Sequence, residues 1–465
     1  MIREFPISKM FPLLEKDNLL PSIVFRSARR QCDQDLDFLA RMKKGKLNTA
    51  GQEKILAALE RAVKKHSLPD DVIRNHPQLS ALLSTGVGAH HAGQLLPWRL
   101  LLEELMSQGE LRLMLATGTV AAGVDFPARS VVITSHSRRD QEGFRAITAS
   151  ELQQMSGRAG RRGKDHVGFC LVAPSVFCDA RVIQHVSHLP PEPLRSAYFA
   201  APSTVLNLLK YRNVDDLKYT VERSLAAFID EKHSVRLMEM ADDEEEKVSS
   251  YQGDHKKKAE RRVRRKRAEA ESLKNRQSWL LDQTLRGLTD LGFVEGSTLS
   301  QKGIWAAELC TSLVLELAEA INLSLFTERP KEILIGLIAS LAGDPHRNYL
   351  SIRKNPIPKG DFQKLSQIVE RVRLSYQNPF AQEIKVQPDA AVTVITWLES
   401  ESWLEFSSLL RLAGIAEGDV SRLVTQTADH LHQMTKLKEY FPALAEQAFE
   451  CRLSLLKPPF TEPEV

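Results

Sequence analysis

The first 180 residues hold short runs of β-branched and aliphatic residues separated by segments of helical periodicity. That alternation does most to narrow the folds open to the chain. LPSIVFR (20 to 26), LRLMLAT (111 to 117), SVVITS (130 to 135) and HVGFCLVAP (166 to 174) lack the strict polar–apolar alternation of a half-exposed strand, so both faces of each strand are expected to be covered. SARRQCDQDLDFLARM, LPWRLLLEELMSQG (96 to 109) and TASELQQMSGRAG (148 to 160) space their apolar residues as helices do. Strands alternating with helices predict a parallel, doubly wound α/β sheet that ends near residue 180.

Beyond that point the strand signal fades. A chain of 465 residues is too long for one core, and the reading divides it at 1–180 (α/β), 181–275 and 276–465 (both mainly α-helical). PSTVLNLLKYRNVDDLKYTVERSLAAFIDEK (202 to 232) is expected to be helical, and SWLLDQTLRGLTDLGFVEGSTLSQKGIWAAEL (278 to 309) has the helix, short strand, helix rhythm of a winged-helix-like or bundle-docking element. Between Asp242 and Arg276 the chain turns from acidic to basic, with nine Lys or Arg among the twelve residues from Lys256 to Arg267. Such a block leaves no evident room for a core-facing stripe, and it reads equally as a solvated helix or linker and as a phosphate-binding arm.

Apolar and charged fractions of 43% and 26% are those of a globular protein. No apolar run approaches membrane-spanning length and the N-terminus carries no signal-like core, so a cytoplasmic protein without membrane contact is expected. The five cysteines lack CxxC spacing, and His90 and His91 have no carboxylate or thiol at ligand spacing, so no metal site is expected. A net charge of +4 does not by itself identify a nucleic-acid partner.

The most specific segment is QMSGRAGRRG, Gln154 to Gly163. Small residues permit close backbone approach, and Arg158 and Arg161, three apart, are expected on one face of a helical turn. Two guanidiniums aimed together suit the charge that develops on a transferring phosphoryl group. The string resembles motif VI of superfamily 2 helicases, in the form found in the superkiller-like, exosome-associated DExH-box RNA helicases. ATGTVAAGVDFPA (116 to 128) is similar to the motif V of that family, GVGAHHAGQLLP (86 to 97) to the segment preceding it, and LPSIVFRSARRQC (20 to 32) to motif IV.

The resemblance implies that residues 1–180 form a second RecA-like motor domain. It implies further that the region from 181 enters a winged-helix-like domain, and that about 280 to 344 begins a C-terminal helical domain. Similarity is weakest beyond Pro356, where a helical continuation is expected. By the same resemblance Gln154, Arg158 and Arg161 address ATP, the two arginines as catalytic fingers. Gly123 and Asp125 face the nucleotide, while Ser27, Arg29, His91, Thr117, Gly118 and Thr119 lie along the nucleic acid.

The sequence contains no GxxxxGK[ST] P-loop, and its α/β region contains no DExH box, the parts that cradle phosphate and hold Mg2+. ATP with Mg2+ is therefore expected only together with a first motor domain, in cis or in trans. The leading expectation is the C-terminal motor half of an ATP-dependent RNA helicase. A non-catalytic nucleic-acid-binding scaffold, a truncated remnant and a DNA helicase fragment are its rivals.

Overall fold

The computed structural model describes residues 4–118, 126–140, 143–194, 196, 198–351, 354–377 and 383–460. Two compact units emerge. One comprises the chain to Pro193 together with Ser400–Arg422 and the residues from Pro458; the other comprises Leu194–Glu399 and Leu423–Lys457.

The first unit is built on five parallel strands, β1 (Ser22–Arg26), β2 (Val87–His90), β3 (Leu113–Thr117), β4 (Ser130–Ile133) and, following the antiparallel hairpin β5 (Ser137–Asp140) and β6 (Gly143–Ala146), β7 (Phe169–Val172). Their order across the sheet is β2-β3-β1-β4-β7. Successive residues face opposite sides. Ile23, Phe25, Met114, Ala116, Val131 and Ile133 bury into one layer with Trp98, Leu102 and Leu152. Val24, Leu113, Leu115 and Val132 bury into the other with Phe11, Cys32 and Leu36. For β1, β3 and β4, apolar runs covered on both faces are what the uninterrupted hydrophobic patterns required; β7, at the edge of the sheet, departs from that expectation, with Phe169 and Cys170 exposed.

Two further features differ from expectation. The strand β2 lies in GVGAHH, whose glycines and alanine carry little strand propensity; Leu102 fills the space beside Gly88 and pairing with β3 supplies the backbone partners. The helix expected to run to Gly160 is Ala149–Ser156 and stops there. The chain then turns, Ala159 bridges Ala128, and Gly160 takes φ +94°. Arg158 and Arg161 therefore do not share a helical turn.

The second unit is mainly helical. The stretch from 202 to 232 breaks into Pro202–Leu209, Val214–Glu222 and the start of Leu225–Val248, each of the last two opened by a side-chain cap from Asn213 or Ser224. The charge run forms an antiparallel hairpin of Leu225–Val248 with the 38-residue helix Gly253–Asp290. It does have a core-facing stripe: Ala241, Ala259, Val263 and Ala270 are buried at the seam. Alanines let the two helices approach closely enough that few apolar side chains are needed, which a count of charges overlooks. A two-residue hairpin, β8 (Val294–Glu295) with β9 (Thr298–Leu299), precedes helix Gln301–Ala306. Val314–Asn322, Lys331–Ala342 and Pro388–Glu399 supply buried residues on nearly every side, and the indole Nε1–H of Trp397 donates to the Leu455 carbonyl at 3.0 Å. Among the described residues no helix is long and apolar enough to cross a membrane.

Candidate nucleotide and nucleic-acid sites

Parallel strands end at a common edge, and there the loops after β1, β2 and β3 meet. Arg26, the last residue of β1, is in register with Thr117, the last of β3. Beyond them lie exposed Ser27 and Gly118. The Ser27 hydroxyl donates to Gln31 Oε1 at 2.9 Å, and the backbone N–H of Ala28 donates to the same oxygen at 3.2 Å. Arg29 opens helix Arg29–Arg41, half-buried, and its Nη1 donates to both carboxylate oxygens of Asp419 at 2.9 Å. Asp419 belongs to the first turn of helix Glu417–Thr435, whose Gly418 N–H donates to the Gly93 carbonyl at 2.9 Å.

His91 is buried at this edge, with both ring nitrogens engaged within the domain. Its Nδ1 accepts from the Gly93 N–H at 3.2 Å, so the ring proton sits on Nε2 and is donated to Asp33 Oδ1 at 3.0 Å. The same Asp33 oxygen accepts from Gln78 Nε2 at 2.7 Å, and Gln78 Oε1 accepts from Gln94 at 2.8 Å. His90 pairs with Glu103 Oε1 at 2.7 Å. The two histidines thus turn to different carboxylates.

The second group of residues lies at the other edge. Ser130 begins β4 in register with Ser22, the first residue of β1, so the segment leading into β4 has returned to the N-terminal side of the sheet. The four residue steps from Ser22 to Arg26 correspond to about 13 Å at the rise of a parallel strand. The Arg158 carbonyl accepts from Ala128 N–H at 2.9 Å, and Gly160 N–H donates to the Ala128 carbonyl at 2.7 Å. Exposed Gln154 is on the helix one turn earlier. A Cβ on Gly168 would come within 2.5 Å of the Ala159 carbonyl, so glycine is needed where the strand entering β7 presses against this turn.

Arg161 is held in place by a buried anion. Its Nε and Nη2 donate to Asp165 at 2.8 and 2.9 Å, its backbone N–H donates to Oδ2 at 3.0 Å, and Arg129 Nη1 adds a bond at 3.1 Å. The Arg161 hydrogen bonds hold the Asp165 carboxyl well below the usual carboxylate range. With its carboxylate committed to arginines, this edge is cationic, suited to phosphate oxygens rather than to a metal ion. Thr119, Gly123 and Asp125 lie outside the described residues.

Asp165, Arg129, Asp33 and Asp419 were not singled out in the sequence. An acid four residues after Arg161 was a signal that could have been used; Asp419, 390 positions from Arg29, left none.

Comparison with known proteins gives two family matches, the helicase conserved C-terminal domain over residues 78–163 and the DSHCT (NUC185) domain over 296–460. In this chain the helicase match precedes the DSHCT match. The chain belongs to the superkiller-like branch of superfamily 2 DExH-box helicases. Among its relatives, the exosome RNA helicase MTR4 of Mus musculus is 30% identical over 223 residues, 48% of this chain and 21% of that protein. The chloroplastic DExH-box ATP-dependent RNA helicase DExH15 of Arabidopsis thaliana is 34% identical over 196 residues, 42% of this chain and 16% of that protein. The antiviral helicase SKI2 of Saccharomyces cerevisiae is 29% identical over 243 residues, 50% and 18% respectively. The matched part thus spans about a fifth of each of these relatives. For this superkiller-like chain the DSHCT match runs to residue 460, which corrects the expectation that similarity fades beyond Pro356.

Proposed function

We propose that the chain is the C-terminal motor half of an ATP-dependent RNA helicase, with residues 1–180 as the second RecA-like domain, 181–275 as a winged-helix-like region and 276–465 as the C-terminal helical domain. In this reading Arg158 and Arg161 meet the phosphates of ATP bound against a first motor domain, in cis or in trans, and Gln154 and the Gly123–Asp125 segment complete that wall. Ser27, Arg29, Thr117, Gly118 and Thr119 contact the RNA backbone. His91 orders the loop between β2 and the following helix from within.

The observation that supports this reading is that the two sets lie beyond opposite ends of β1, whose four residue steps span about 13 Å. A motor needs such an arrangement, because hydrolysis at one edge has to alter the grip on a strand at another. The names of the relatives favour RNA over DNA. Mg2+ would be held by carboxylates of the first motor domain, since Asp165 is already neutralised by two arginines.

RNA-stimulated ATP hydrolysis, measured with the chain alone and mixed with a separately expressed first motor domain, tests the proposal. Activity in the mixture that disappears with Arg161→Ala supports it. Salt-sensitive RNA binding without hydrolysis under either condition favours the rival reading, a non-catalytic scaffold.

A further inference from the structure

The basic run and the acidic run are not simply two solvated stretches. In the antiparallel hairpin of Leu225–Val248 and Gly253–Asp290, part of one charge set neutralises part of the other. Lys266 Nζ donates to Glu244 at 2.9 Å, Arg267 Nη2 to Asp242 at 2.8 Å, and Arg262 also reaches Glu244. These three basic residues flank the buried seam of Ala259, Val263 and Ala270.

Lys257, Arg261, Arg264 and Arg265 behave differently. At spacings of four, seven and eight residues from Lys257 they share a face of the helix, turned away from the seam and exposed. Among the described residues none of the four has an ion-pair partner. The acidic run therefore quenches the inner cations and leaves the outer row charged. That row extends over eight residues of a rigid helix, about 12 Å at 1.5 Å per residue, which is roughly three to four phosphate spacings of a nucleic-acid strand.

We propose that this outer row is a second nucleic-acid contact, gripping the phosphate backbone of RNA independently of base sequence. The proposal rests on the helicase reading for the choice of RNA. The chemistry of the face argues for that choice. Over the ten residues beyond Arg265 the same face carries Ala268, Ser272 and Asn275, and its first large apolar side chain is the half-exposed Trp279 farther along, so the row itself has none to insert into a lipid surface or to seat a partner helix. An array of fixed cations without an apolar seam suits a polyanion.

The test uses the full chain and a fluorescent single-stranded RNA of about 20 nucleotides, with anisotropy followed across a salt series. Lys257→Gln, Arg261→Gln, Arg264→Gln and Arg265→Gln are combined in one variant. A control variant removes the same charge from scattered exposed positions, by Arg61→Gln, Lys64→Gln, Lys364→Gln and Lys438→Gln. Circular dichroism establishes that both variants are folded. The outer-row variant is expected to bind about 10- to 100-fold more weakly at about 100 mM salt, with a salt slope shallower by about 2 to 3, since each phosphate contact on a single strand contributes roughly 0.7. The control is expected to lose less than about threefold. Equal losses in the two variants, or an unchanged outer-row variant, overturn the proposal. So does an outer-row variant that loses binding to phosphatidylserine vesicles and keeps its affinity for RNA. Loss of RNA binding through this row, in a chain that gives no hydrolysis with any first motor domain, overturns the helicase reading and leaves the second contact standing.

Discussion

Arg161 grips Asp165 at two points through its side chain and at a third through its own backbone N–H. A guanidinium fixed in this way has a defined plane, and its remaining N–H groups keep a constant direction. Asp165→Ala would free that plane and leave Arg161 and Arg129 without their common anion. Because the carboxylate is almost fully buried, the loss of stability is expected to be about 3 kcal/mol, seen as a lower urea midpoint. In the reconstituted ATPase kcat is expected to fall at least about tenfold with a smaller change in KM, because a mispositioned arginine loses transition-state contacts first. Unchanged stability and unchanged kcat would together remove Asp165 from this role.

The turn that carries Arg158 depends on Gly168. A methyl group there would collide with the backbone of Ala159 and Gly160 at 2.5 to 2.6 Å, and backbone cannot move aside as a flexible side chain can. Gly168→Ala is expected to cost about 2–4 kcal/mol, in the range of overpacking with a displaced backbone, and to lower ATPase activity together with thermal stability. Gly118→Ala, where an added Cβ meets nothing within 4 Å, is the matched comparison and should leave the melting temperature unchanged. If both variants melt alike, the close approach at Gly168 carries no structural weight.

The parallel sheet was legible because four of its strands are continuous apolar runs, and the place of Thr117 at a strand end followed from the apolar run LRLMLAT that it closes. What escaped depended on distance or on subtle chemistry. The strand β2 has weak intrinsic propensity and exists because β3 pairs with it. The helix end at Ser156 is set by Gly157 and by the left-handed Gly160, and a motif treated as one helical turn conceals that break. The Ala-lined seam of the charged hairpin was hidden by the charges around it.

Arg29 and Asp419 form an ion pair that competes with the proposed RNA contact of Arg29. Asp419→Asn should release the guanidinium. RNA binding is then expected to tighten about two- to fivefold at low salt, with a salt slope steeper by about 0.7 for one added phosphate contact. Arg29→Ala should shift both quantities the other way, and in that background Asp419→Asn should have no further effect, as a double-mutant cycle on a direct pair requires. Additive effects of the two substitutions would mean that Asp419 acts on RNA binding by some route other than Arg29.

His76 gives the first unit a pH dependence of predictable sign. Its ring stacks on Trp98 with centroids 3.6 Å apart, and its Nδ1 accepts from the Gln78 N–H at 3.2 Å. Burial, with the nearby Arg411 and His91 adding to it, pushes its pKa down to about 3. The folded state therefore holds the neutral ring, whereas an unfolded chain protonates near pH 6.5. The contribution of His76 is fully present above about pH 6.5 and declines as the pH falls toward 3, by about 2–3 kcal/mol on reaching pH 4.5. Glu417, on the same small cavity as Arg411 and His76, has its carboxyl pushed up by burial and contributes with the opposite sign, so the test must be a comparison. His76→Phe keeps a ring against Trp98 and cannot be protonated. Urea midpoints measured from pH 7 to pH 4.5 should fall less steeply in this variant than in the wild type, although it starts about 1 kcal/mol lower for want of the Gln78 acceptor. Parallel pH profiles for the two proteins would show that His76 is protonated with equal ease in the folded and unfolded chains.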